Sequence, residues 1–65
     1  MTVKDIEARV EELKGFALDY EAAHSKEDEL WRDVLRAISL GADNPKGLAK
    51  AALKTQRIKF ERYAA

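Results

Sequence analysis

The sequence predicts an all-α protein. A long N-terminal helix, continuous or broken near His24, should lead into a shorter C-terminal helix packing back on it, as a helical hairpin or three-helix bundle. Three observations predict this. Val3, Ile6, Val10, Leu13, Ala17, Tyr20, His24, Glu27, Trp31, Val34 and Ile38 fall at alternating steps of three and four, a spacing that lays side chains in one stripe along a helix. Gly41, then Asn44 and Pro45, supply a helix stop and a new helix start. The one alternation with strand period, Ile58 with Phe60, is too short to make a sheet without partners.

Residues 1–65 make one domain, with a helix over about 3–40, a loop at 41–44, a helix over about 45–55 and a tail at 56–65. Thr2 with Asp5 resembles a capping box, so the first helix starts at Val3. Gly15 is its weak point, costing about 1 kcal/mol against alanine. Over residues 21–29 two readings compete. Ser25 with Asp28 offers a cap and hence a break near His24, whereas the stripe passes through His24 and Glu27 without a change of phase. A continuous helix over residues 3–40 would be about 57 Å long. Leu30, Trp31, Val34, Leu35 and Ile38 form a strong apolar face on its second half. In the next helix Leu48, Ala49, Ala52 and Leu53 make a small-residue face that allows close approach, and Gly47 lowers its intrinsic stability. Beyond Thr55 a helical or frayed tail is expected, with Phe60 and Tyr63 folding back onto Trp31 or Leu35.

Size and charge narrow the function. A compact chain of 65 residues buries only about 60% of its unfolded surface, and small scaffolds offset that with disulfides, a metal or assembly. There is no cysteine and a single histidine, so disulfides and a structural zinc site are excluded, no cofactor is implied and assembly remains. The leading stripe therefore reads as a self-association interface: Val3, Ile6, Val10, Leu13, Tyr20, Trp31, Val34 and Ile38. Residues 1–29 hold nine acids and four bases, and residues 44–65 six bases and one acid. This polarity favours antiparallel pairing, with a homo-oligomer, first of all a dimer, as the expected form. No apolar leader and no stretch near 18 apolar residues is present, so a cytoplasmic protein with no membrane contact is expected.

Candidate sites are few. His24 at a stripe position would be a pH switch if it were buried at an interface, and otherwise marks a helix end or an exposed position. Glu11 with Glu12, and Glu27, Asp28 and Glu29, are carboxylate groups of the kind acid–base catalysis uses, but nothing suggests a cleft to desolvate one of them. Solvated helix faces account for them, and the chain reads as non-enzymatic. Trp31 is the sole tryptophan, suited to a core anchor or an interface hot spot. Lys46, Lys50 and Lys54, with Arg57 beyond them, form one basic stripe. It either contacts phosphates or pairs with the acidic arm, at Glu7, Glu11 or Glu21. Residues 30–57 pass a loose test for a helix-turn-helix, in which Lys46, Lys50, Gln56 and Arg57 would face a duplex. The neutral net charge argues against nucleic acid.

The run Ala51-Ala52-Leu53-Lys54-Thr55 through Phe60-Glu61-Arg62-Tyr63-Ala64-Ala65, and Asp33-Val34-Leu35-Arg36-Ala37-Ile38 before Gly41-Ala42-Asp43, resemble small uncharacterised helical accessory proteins of bacteriophages that infect actinobacteria. The resemblance covers about the last half of the chain and rests on common residues. It implies an accessory or regulatory role with a host or phage protein as partner, and supplies no catalytic residues. The functional expectation is a helical protein–protein interaction module that self-associates, with a small DNA-binding protein as the alternative.

Overall fold

The computed structural model describes residues 1–60. Helix α1 spans Val3–Lys14, α2 spans Tyr20–Ser39 and α3 spans Pro45–Leu53, followed by a 3₁₀ turn at Lys54–Arg57. No strand occurs among the described residues. Each helix packs on both of the others.

The start of α1 is local chemistry. The Asp5 N–H donates to Thr2 Oγ1 at 3.2 Å and the Thr2 N–H donates to Asp5 Oδ2 at 2.8 Å, so two orphan donors of the first turn are satisfied reciprocally. The Thr2 backbone N–H, and then the Thr2 hydroxyl, hold the Asp5 carboxyl below its ordinary value.

The long helix expected over residues 3–40 is not formed, and its interruption lies upstream of His24. Helix α1 stops at Lys14 and α2 starts at Tyr20. Between them the Gly15, Phe16, Ala17 and Asp19 N–H groups donate three residues back, to Glu12, Leu13, Lys14 and Phe16. Asp19 then caps α2, accepting from the Ala22 N–H at 3.3 Å. Ser25 lies inside α2 and caps nothing. The turn drops Phe16 and Ala17 against the core and leaves Leu18 fully exposed. Burying α1 against the rest of the chain outweighs continuing a helix through Gly15, because most helical stability comes from packing an apolar face.

The end of α2 is again local. The Gly41 N–H donates to the Ile38 carbonyl and the Ala42 N–H to the Ala37 carbonyl, both at 3.0 Å, which is the Schellman pattern, with Gly41 at φ 88. Asn44 is left-handed at φ 57 and its Oδ1 accepts from the Gly47 N–H at 3.2 Å. A Cβ at Gly47 would run into the Asn44 amide. The glycine that weakens α3 is what lets its cap close.

Ile6, Val10 and Leu13 of α1, Ala23, Leu30 and Val34 of α2, Leu48, Ala51 and Ala52 of α3, and Ile58 form the core. The expected single stripe is thus split. In α2 the buried line is Ala23, Glu27, Leu30 and Val34, not Tyr20, His24, Glu27, Trp31, Val34 and Ile38. The two lines share Glu27 and Val34 because α2 serves two neighbours and its apolar arc is wide. The tail also departs from a helix. After the 3₁₀ turn Ile58 is extended at φ −82 and ψ 123 and is buried, and Phe60 is half-buried against the core. The expectation for Tyr63 lies outside the described residues.

Candidate protein-binding groove

Trp31, Val34, Leu35 and Ile38 of α2 face Ala49, Ala52 and Leu53 of α3 across an open groove of about 180 Å³. The sequence builds it from two mismatched faces. Helix α3 offers mostly alanines, which bring the two backbones close, so the larger side chains of α2 have nothing of equal height opposite them. Val34 and Ala52 lie buried, Trp31, Ile38 and Ala49 are half-buried, and Leu35 and Leu53 remain 65% and 51% exposed. No charged side chain lines it.

Trp31 fixes the spacing of the walls. Its Nε1–H donates to the Ala52 carbonyl at 3.2 Å and to Thr55 Oγ1 at 3.1 Å. Thr55 is fully buried and donates its own hydroxyl proton to the Ala52 carbonyl at 3.1 Å. The indole thereby ties the middle of α2 to the end of α3 and is itself part of the groove lining.

The residues of the expected interface are scattered. Ile6, Val10 and Leu13 are buried inside the chain and Val3 is half-buried against the core, so they are closed to a second molecule in this arrangement. Tyr20 is 41% exposed in the first turn of α2. Trp31, Val34 and Ile38 come together in the groove. Leu35 and Leu53, which form its lips, fall outside the heptad frame. The signals that find them are the surplus of apolar residues on the second half of α2 for Leu35 and the small-residue face of α3 for Leu53.

The basic stripe is also divided. Lys54 pairs with Glu7 of α1 at 3.0 Å. Lys46, Lys50 and Arg57 are exposed, and their side chains make no ion pair among the described residues. Lys50, Leu53, Lys54, Gln56 and Arg57 share one surface beside the groove, with Leu53 as the common wall.

The acidic arm is mostly engaged within the chain. Arg9 of α1 donates to Asp33 of α2 at 2.9 Å, Lys14 meets Glu11 at 2.7 Å, and Lys26 meets Glu12 at 3.5 Å while lying 4.8 Å from the centre of the Phe16 ring. His24 is partly exposed, 3.6 Å from Asp28 on its own helix. It lies at the surface and not inside a seam. Glu27 is not on a solvated face, as expected for it, but buried at 5% exposure. No buried side-chain nitrogen or oxygen among the described residues lacks a hydrogen-bond partner. Among those residues no group of three His, Cys, Asp or Glu side chains could hold a metal ion, and no helix is long and apolar enough to cross a membrane.

No protein-family model, curated protein or solved structure matches the chain.

Proposed function

We propose that this chain is a non-enzymatic helical protein–protein interaction module and that the groove between α2 and α3 is its docking surface. The observation that carries this reading is the pair of exposed leucine lips, Leu35 and Leu53, over a floor with no charged lining. The exposed leucines lose contact with water when a partner covers them, and burial of apolar surface is the main favourable term in most protein–protein association. The resemblance to small phage accessory proteins points the same way, since it implies a host or phage protein as partner. Ile6, Val10 and Leu13 are consumed inside the chain, so the leading stripe is closed to a second copy in this arrangement.

The test uses N-phenyl-1-naphthylamine, an uncharged dye that fluoresces in apolar surroundings. The chain should bind it. The double variant Leu35→Asn with Leu53→Asn should lose most of the signal while its circular dichroism stays helical, because both side chains already face solvent. Equal dye binding by the double variant would remove the groove from consideration.

The exposed Lys46, Lys50 and Arg57, in no ion pair among the described residues, support a second reading, a DNA-binding protein using residues 30–57. The turn between α2 and α3 is five residues long and α3 has nine residues, and Lys54 is engaged by Glu7. A duplex binder should shift labelled DNA at about 50 mM salt and lose affinity steeply by about 200 mM.

A further inference from the structure

We infer that the groove takes an acidic amphipathic helix of another protein; this rests on the docking surface proposed above and specifies its partner. The groove runs between two helices, and its α2 wall extends from Trp31 to Ile38, about 10 Å at 1.5 Å per residue. That is two turns of an occupying helix, which would present apolar side chains at i, i+3 or i+4, and i+7.

The charges around the groove choose its flanks. On the α3 side Lys46 and Lys50 stand two turns and one turn before the end of the helix, on the face next to Leu53, and Arg57 follows one turn after Leu53. On the α2 side Arg32 stands one turn before Leu35. All four are exposed, and their side chains make no ion pair among the described residues. The acids of the same stretch are committed or off to one side. Asp33 is engaged by Arg9, Glu29 shares a surface with Arg9, Glu12 and Lys26 on the α1 side, Asp43 sits in the loop after α2, and Asp28 lies beyond the Trp31 end beside His24. Arg9, Lys14 and Lys26 are paired on the α1 side, whereas Arg32, Lys46, Lys50 and Arg57 beside the groove have no such partner among the described residues.

A second copy fits this rim poorly. A two-fold contact through the groove would bring Arg32, Lys46, Lys50 and Arg57 against their own counterparts, and like charges across an interface oppose association. The acidic helix α1 of a copy cannot serve, because Ile6, Val10 and Leu13 face its own core. Duplex DNA would satisfy the cations but would hold its phosphates over Leu35 and Leu53. A foreign helix with leucines on one face and glutamates beside them satisfies both features.

Trp31 is the sole tryptophan and lines the groove, so its emission reports occupancy. Two synthetic 18-residue helical peptides are the probes, with the same leucines at i, i+4, i+7 and i+11. One carries glutamate on the flanking positions and the other lysine. The acidic peptide should shift Trp31 emission and bind at least about tenfold more tightly than the basic one at low salt. In the variant Arg32→Glu with Lys50→Glu the preference should reverse, and Leu53→Asn should weaken both peptides. Equal affinity for the two peptides, lost on Leu53→Asn, would overturn the acidic partner and leave the groove in place. No binding of either peptide would overturn both. Displacement of the acidic peptide by duplex DNA, or a charge-reversed variant that still prefers it, would overturn the assignment of the rim.

Discussion

Trp31 connects packing to chemistry through one N–H. Its two acceptors, the Ala52 carbonyl and Thr55 Oγ1, lie at the end of α3, and Thr55 is fully buried. Trp31→Phe keeps an aromatic ring but removes the donor together with the five-membered part of the indole. It should lower stability in urea by about 1–2 kcal/mol, and an unchanged midpoint would show that water replaces the indole there. At the N-terminus the relevant group is Asp5, whose carboxyl is held below the 3.8 of a free aspartate by the Thr2 backbone N–H and hydroxyl. The fold favours the ionised form, so the capping contribution is fully present above the unfolded value. It is lost as pH falls through the lowered one. Helix content should therefore decline below about pH 4, and Asp5→Asn should flatten that decline relative to the parent.

At the scale of elements, the informative event is the interruption over residues 15–19. Asp19 caps α2 through the Ala22 N–H, and removing it should tell against α2 but not α1. Asp19→Ala should cost about 1 kcal/mol in urea denaturation, with backbone chemical-shift changes confined to the turn and the start of α2. A longer, continuous helix in that variant would show that the turn depends on this cap alone. The caps at Thr2, Gly41 and Asn44 were legible in the sequence because each is a contact between residues no more than five apart. The interruption was not legible for the opposite reason. Gly15 and Asp19 are both tolerable inside a helix, and what ends α1 is the gain from packing Ile6, Val10 and Leu13 on α2 and, more than thirty residues on, α3. The groove was half legible. Trp31, Val34 and Ile38 stood on the heptad frame and Leu35 and Leu53 on the two apolar faces, but that the leucines meet as exposed lips follows only once α3 is laid beside α2.

For the molecule as a whole, the longest dimension is 34 Å and the Cα radius of gyration 11.7 Å. A straight helix of about 57 Å would alone have a radius near 16 Å, so small-angle scattering in dilute solution separates the two shapes. Val10 is 5% exposed in the centre of the fold. Val10→Asp buries an unpaired carboxylate there and should unfold the chain, with a loss of at least about 3 kcal/mol. A variant that keeps its helix content and melting behaviour would mean that Val10 is not enclosed by its own chain. Lys50→Glu, on the exposed face of α3, should leave circular dichroism and the urea midpoint unchanged.

The residue order by itself determined the helical class, the start of α1 at Val3, the stop at Gly41 and the restart at Asn44 and Pro45. Capping and turn chemistry act between near neighbours, and their outcome does not wait for the rest of the chain. Only the tertiary structure decided where the long stripe breaks, which of its residues are enclosed and which leucines are left facing water. An apolar stripe specifies that something must cover it. Whether the cover is a copy, a stranger or the chain's own later helices depends on distances in space that no spacing along the sequence contains.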